Sequence, residues 1–340
     1  MDSNKKIKVL VIDDSLLFRE MLSKIISSDQ SMEVVGFATN PFEAKDKIIE
    51  ARPDVITCDV EMPKMDGIEF VRQLLPQYFV PVVMISSVSE KVFEAMNAGA
   101  VDFVVKPNKQ SDQSTDAFKQ DVINKIKAAS MVKKRAPGII NPVEAISPSI
   151  NCDAGRIIAI GASTGGTEAI YSIIKNLPPT VPGIVITQHI PPVFSKMFAD
   201  RLNNQTNLKV KEAETGDIVE QGTVLVAPGD KQMKVKRVGS KYKVECYLGE
   251  KVSGHCPSVD VLFNSVAIEA GSKAIGILLT GMGYDGAKGL LNMRLNGART
   301  IGQDEASSVV YGMPKAGFDL GAVEIQTALN NIPQAIFKLL

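Results

Sequence analysis

Two sets of residues in this 340-residue chain are of types that could do chemistry. The first is acidic. Asp13 and Asp14 follow one apolar run and Asp59 follows another, while Ser86 and Lys106 close two more. Three carboxylates gathered in one crevice repel unless a hard cation joins them, and magnesium, which takes oxygen ligands, suits that arrangement. A lysine beside the cation can pair with an anionic oxygen and a serine hydroxyl can donate to one. The set could therefore hold a phosphoryl group on a carboxylate, with Asp59 the most central acceptor. Taken singly, an Asp at a strand end reads as a helix cap and Lys106 or Ser86 as solvated; only the joint pattern speaks for a site.

The second set is nucleophilic. Gly161-Ala162-Ser163-Thr164-Gly165-Gly166 follows a β-branched run and precedes a helical pattern. Its glycines allow a tight strand-to-helix turn that presents Ser163 where backbone N–H groups favour developing negative charge. Gly161, Ser163 and Gly165 also satisfy the Gly-x-Ser-x-Gly elbow pattern. The competing reading is a phosphate-cradling turn of a nucleotide site. No Gly-Lys-Ser/Thr accompanies it, however, and the next strand ends in Gln188-His189 where a dinucleotide site wants a ribose-binding carboxylate. His189 precedes Pro191 and Pro192, so its strand stops there and the imidazole reaches the rim that carries Ser163. The chain has two histidines, and His255 lies in a loop before a helix, which makes His189 the better general base. Asp285, after the run 275–279, is the candidate to orient His189; alternatively it caps a helix beginning at Gly286. The chain order Ser, His, Asp differs from the Ser, acid, His order of α/β-hydrolases.

These residues need elements to position them. β-branched runs at 7–12, 34–38, 55–58, 82–85 and 103–105 alternate with amphipathic stretches, the last predicted over 115–134. Five such units imply a doubly wound parallel sheet, whose carboxyl-end loops share one rim. A second series at 156–160, 183–187, 224–227, 274–279 and 300–301 predicts another α/β domain, with a β-hairpin around Gly239-Ser240. The expected organisation is a domain over 1–130, a linker over 131–153 containing Pro137, Pro142 and Pro148, and a domain over 154–340.

Lys plus Arg equals Asp plus Glu at 38 each, so no positive field recruits nucleic acid or an anionic membrane. No run approaches the ~20 apolar residues that span a bilayer, and the polar start carries no signal segment, so the expected location is the cytoplasm, without membrane insertion. Cys58, Cys152, Cys246 and Cys256 are scattered without a CxxC pair, which suggests neither disulfides nor zinc.

Val11-Ile12-Asp13-Asp14-Ser15, the run from Asp59 through Met62-Pro63 to Asp66-Gly67, and Lys106-Pro107 closely resemble response-regulator receiver domains. That resemblance implies a flavodoxin-like fold, magnesium at Asp13, Asp14 and Asp59, and phosphoryl transfer from a partner histidine kinase onto Asp59. Ser86 and Phe103 match the family's switch positions. The segments 161–168, 188–191, 255–260, 279–286 and 312–314 are similar to the catalytic domain of the chemotaxis protein-glutamate methylesterases. This second resemblance implies hydrolysis of glutamate γ-methyl esters on chemoreceptors, with deamidation of specific glutamines and no cofactor for the esterase step. Ser163, His189 and Asp285 match its triad, the backbone at Met282 and Gly283 matches its oxyanion region, and Thr164 is a candidate to orient His189. The unphosphorylated receiver is then expected to restrain the hydrolase. Two other functions compete: a receiver controlling a DNA-binding domain, for which the second domain is too long and too rich in α/β units, and a nucleotide-dependent oxidoreductase, which lacks its ribose carboxylate.

Overall fold

The computed structural model describes residues 5–87, 91–107, 115–132 and 155–340. The chain divides into two compact units, Met1–Ala136 and Pro137–Leu340. Of the linker expected over 131–153, all but Met131 and Val132 lies outside the described residues.

The first unit runs β1 (Ile7–Ile12), α1 (Leu16–Ser27), β2 (Met32–Ala38), α2 (Pro41–Ala51), β3 (Val55–Asp59), α3 (Gly67–Leu74), β4 (Val82–Ser86), α4 (Val92–Asn97), β5 (Asp102–Val105) and α5 (Thr115–Ser130). Short polar side chains start its helices. Ser15 accepts from the Phe18 N–H at 3.3 Å, Asn40 caps α2 ahead of Pro41, and Asp66 accepts from the Glu69 N–H at 2.8 Å. The strands pair in the order β2-β1-β3-β4-β5, every pair parallel. Strand order reverses between β1 and β3, so Asp13 and Asp59 flank the crevice where such sheets bind ligands. The final helix ends at Ser130, four residues short of the predicted end.

The second unit runs β6 (Ile157–Ala162), α6 (Gly166–Ile174), β7 (Gly183–Gln188), α7 (Phe194–Gln205), β8 (Lys209–Glu212), β9 (Ile218–Val219), β10 (Thr223–Val226), β11 (Gln232–Val238) and β12 (Lys241–Tyr247). It continues with α8 (Val259–Ala270), β13 (Ala274–Leu278), α9 (Ala287–Leu295), β14 (Arg299–Gln303), α10 (Met313–Asp319), β15 (Ile325–Thr327) and α11 (Ile332–Leu339). A parallel sheet takes the order β15-β14-β13-β6-β7-β10-β8, and a smaller antiparallel one the order β11-β12-β9. Strand β6 lies between β7 and β13, with Ala162 opposite Gln188 and Leu278 opposite Gly161. Ile157, Ile158 and Ile160 in β6 are fully buried, each worth about 1.5–3 kcal/mol relative to exposure, which makes this strand the anchor of the domain. The hairpin turns at Gly239, whose φ of +62° suits the residue type. Strands β8, β9 and β15, of 4, 2 and 3 residues, are too short to carry a readable period.

Candidate active site

The strand β6 delivers Ser163 into a turn that closes before α6. The Ser163 N–H donates to the Thr280 carbonyl at 2.9 Å, and its own carbonyl accepts from the Gly166 N–H at 2.7 Å. Gly165 has φ +76°, a conformation L side chains rarely adopt, and a Cβ on Gly281 would stand 2.6 Å from the Ser163 Cβ. Two glycines thus let the β6 and β13 loops close around the serine. The Gln188 amide, at the end of β7, donates to the carbonyls of Ser163 (2.9 Å) and His189 (3.1 Å), tying the backbones of both residues together.

His189 follows β7, and its Nε2 lies 2.8 Å from Asp285 Oδ2. Its Nδ1 is buried with no hydrogen-bond partner among the described residues. An ionised carboxylate only accepts, so Nε2 carries the hydrogen, and in the neutral imidazole Nδ1 then keeps its lone pair, as a general base requires. Asp285 is 2% exposed. Burial pushes its carboxyl up, but the His189 hydrogen bond, electrostatic attraction to His189 and the N–H groups of Asp260 and Val259 outweigh this and hold it below the ordinary value.

The helix-cap reading of Asp285 named the wrong helix. α9 begins at Ala287 with Gly286 (φ +86°) at its cap. Asp285 instead accepts from Val259 N (2.8 Å), Asp260 N (3.0 Å) and Ser258 Oγ (2.8 Å), at the start of α8. One carboxylate therefore satisfies the first turn of a distant helix and holds the imidazole. Ser258 and Asp260 belong to the segment 255–260 that carries the resemblance, and the fold brings them onto Asp285, contacts across 27 and 25 positions that no local signal marks.

By sequence His255, in the loop before a helix, is the weaker candidate base. The structure puts its ring against His189, centroids 3.7 Å apart and planes 10° from parallel. Thr164 is buried, and its carbonyl accepts from the Thr280 hydroxyl at 3.0 Å. The loop after β13 is pinned from residues 310–313: Gly281 donates to Val310 at 3.0 Å and accepts from Met313 N at 2.8 Å. Met282 is half-buried and Gly283 exposed with φ +86°. Among the described residues, nothing accepts from the N–H of either.

In the first unit, oxygens of Asp13, Asp14 and Asp59 lie within 4.8 Å of one another. Lys106 Nζ bridges Asp13 Oδ2 (2.7 Å) and Asp59 Oδ2 (2.6 Å), and stands 4.4 Å from the Phe18 ring centroid. Burial pushes the Asp59 carboxyl above its ordinary value despite the hydrogen bond from Lys106, and Asp13 adds to the rise. A crowded all-oxygen set, destabilised by its own charge, fits a small hard cation. Gly67 permits α3 to approach closely, since a Cβ there would meet the Asp59 carbonyl oxygen at 2.0 Å. Ser86 ends β4, its carbonyl accepting from Lys106 N at 2.9 Å, and Phe103 is 4% exposed in β5 with the Lys125 ammonium 4.7 Å from its centroid.

The CheB methylesterase family profile matches residues 158–336, and that of the response regulator receiver domain matches residues 9–116. The protein-glutamate methylesterase/protein-glutamine glutaminase 2 of Syntrophomonas wolfei is 56% identical over 336 residues, covering 99% of this chain and 98% of its own. The corresponding protein of Syntrophotalea carbinolica is 48% identical over 99% of this chain and 98% of its own. Among solved structures, the Thermotoga maritima CheB methylesterase catalytic domain is 38% identical, with a TM-score of 0.54 over 55% of this chain and 100% of that one. A parallel receiver sheet followed by an α/β domain with Ser163, His189 and Asp285 on one rim agrees with these likenesses. This chain belongs to the CheB family of protein-glutamate methylesterases/protein-glutamine glutaminases, with a response-regulator receiver domain ahead of the methylesterase domain.

Proposed function

We propose that this chain is a phosphorylation-controlled serine hydrolase of chemotactic adaptation, cleaving glutamate γ-methyl esters, and the amides of selected glutamines, on chemoreceptors. The observation that carries the reading is the 2.8 Å contact between His189 Nε2 and Asp285, which leaves the buried Nδ1 as the basic nitrogen on the rim of Ser163. Ser163 Oγ attacks the ester carbonyl carbon while His189 Nδ1 takes its proton. The carbonyl electrons move onto oxygen, where the Met282 and Gly283 N–H groups are the candidate donors. As the C–O bond breaks, the imidazolium returns the proton and methanol leaves; a glutamine substrate releases ammonia instead. Water, deprotonated by the same nitrogen, then frees the glutamate and Ser163.

In the receiver, Asp59 accepts the phosphoryl group from a phosphohistidine of the chemotaxis kinase. Asp13, Asp14 and Asp59 are the residues that would hold magnesium, which supplies charge neutralisation during the transfer. Lys106, already bridging Asp13 and Asp59, is poised to pair with the new phosphoryl oxygens, and Ser86 and Phe103 carry the change onward. A kinase and receptor tails on the inner side of the membrane make the cytoplasm the working compartment. No described helix is long and apolar enough to cross a membrane. The test is methanol release from methyl-labelled chemoreceptor membranes: Ser163→Ala is expected to abolish it, and retained release would overturn the nucleophile assignment.

A further inference from the structure

Asp285 fixes only one nitrogen of the His189 ring. An imidazole tethered through Nε2 alone can still swing about its own side chain, carrying Nδ1 away from the serine, so a second constraint on the ring plane is required. The His255 ring supplies a surface at 3.7 Å and within 10° of parallel. Its backbone is itself locked. His255 and Val252 exchange two hydrogen bonds of 3.0 Å, and the Gln232 amide donates to the His255 carbonyl at 3.3 Å. Three residues further on, Ser258 and then the Val259 and Asp260 N–H groups hold Asp285. A single segment, 252–260, therefore braces the acid with its hydrogen bonds and faces the base with a ring.

Resting on the triad reading above, we infer that His255 is a positioning residue: its stacked ring holds the plane of the His189 imidazole and offers a neutral aromatic face to the imidazolium formed during hydrolysis. A charged ring in that place would repel the imidazolium; a neutral one attracts it through its π face. Burial, and then the adjacent His189, push the His255 imidazole down to about 4, with the Asp285 charge opposing and Lys251 adding to the effect. At neutral pH the ring is uncharged. A shared proton is not required of it, which separates this role from that of a relay.

The experiment measures methanol release by the full-length protein over a range of methyl-labelled receptor concentrations, for His255→Ala, His255→Phe and a Ser163→Ala control. His255→Ala is expected to lower kcat by about tenfold or more, the equivalent of ~1.4 kcal/mol, with KM changed by less than about twofold. His255→Phe, which keeps a planar ring and cannot ionise, is expected to recover kcat to within about threefold. Unchanged kcat in His255→Ala would overturn the inference, as would a change confined to KM, which marks substrate docking. His255→Phe as slow as the alanine variant would also overturn it, in favour of proton transfer through the second imidazole. Should the alanine variant not fold, His255→Leu, close to histidine in volume but without a planar ring, takes its place with the same loss of kcat expected and the same result overturning the inference. Activity surviving in Ser163→Ala would instead refute the triad reading itself, whatever the His255 variants do.

Discussion

Replacing Asp285 with Asn tests how one carboxylate serves both the start of α8 and a base. The side chain keeps its size but exchanges an acceptor for a donor at a site where all four neighbours donate: Ser258 Oγ and Asp260 N at Oδ1, Val259 N and His189 Nε2 at Oδ2. If the amide nitrogen takes the Oδ2 place, it opposes the Val259 N–H, and His189 can accept from it only by moving its own hydrogen to Nδ1. That tautomer has lost its base. If the nitrogen takes the Oδ1 place, the Ser258 hydroxyl can turn to accept, but the Asp260 N–H is left buried against a donor. The tautomer survives, yet a neutral oxygen replaces the charge that stabilises the imidazolium. One orphaned buried donor costs about 1–3 kcal/mol, and weakened charge-assisted bonds bring the loss of stability to about 3 kcal/mol. Turnover is expected to fall by about 10²–10⁴-fold, as for the removal of an acid that fixes a catalytic imidazole. Methanol release reports the second effect. Urea unfolding of a chain comprising residues 154–340 reports the first, followed by circular dichroism because the sequence contains no Trp. A folded Asn variant within about tenfold of the parent rate would refute the claim that Asp285 sets the tautomer and charge of His189.

Asp59→Asn is expected to abolish stable labelling by a phosphorylated chemotaxis kinase, and label persisting on another residue would sink the assignment of the acceptor. Gly281→Ala places a Cβ 2.3 Å from Met313 Sδ and 2.6 Å from Ser163 Cβ, so the serine loop must shift; an ångström of misplacement predicts about a 10²-fold loss of methanol release, and near-parent activity would contradict the close packing. For pH, His255 has its folded value lowered from 6.5 to about 4, so between these limits the unfolded chain binds the proton and the folded chain does not. Stability is then full above 6.5 and falls on acidification to about 4, by up to ~3 kcal/mol, a slope that urea titrations at several pH values should lose in His255→Phe. The lowered Asp285 carboxyl adds a separate loss at pH below 3.8, which the Phe variant should retain. Finally, residues 154–340 alone are expected to hydrolyse receptor esters faster than the unphosphorylated full chain, with phosphorylation narrowing the gap; equal or slower hydrolysis by the shorter chain would indicate a receiver that activates.

Much of this arrangement is written locally. Parallel strands joined by right-handed helical crossovers place every carboxyl-end loop on one rim, so the runs before Asp13, Asp59, Ser163, His189 and Asp285 were enough to assign each set to the rim of its own sheet. The turn around Ser163 was legible too, because glycine at Gly165, with φ +76°, is a stereochemical requirement recorded in the residue type. Other features have no local signature. The lateral order that seats β6 between β7 and β13 depends on pairings between segments more than a hundred residues apart, such as Gly161 with Leu278. The two- to four-residue strands β8, β9 and β15 hold too little pattern to reveal a period. An aspartate's neighbours in sequence suggested that Asp285 caps the helix after it, whereas the fold brings the N-terminus of α8 against it, because buried N–H groups at a helix start need an acceptor and Asp285 is the one within reach. The same tertiary packing turns Nε2 of His189 toward the acid and lays His255 on its face, a contact between residues 66 positions apart that only the folded chain could create.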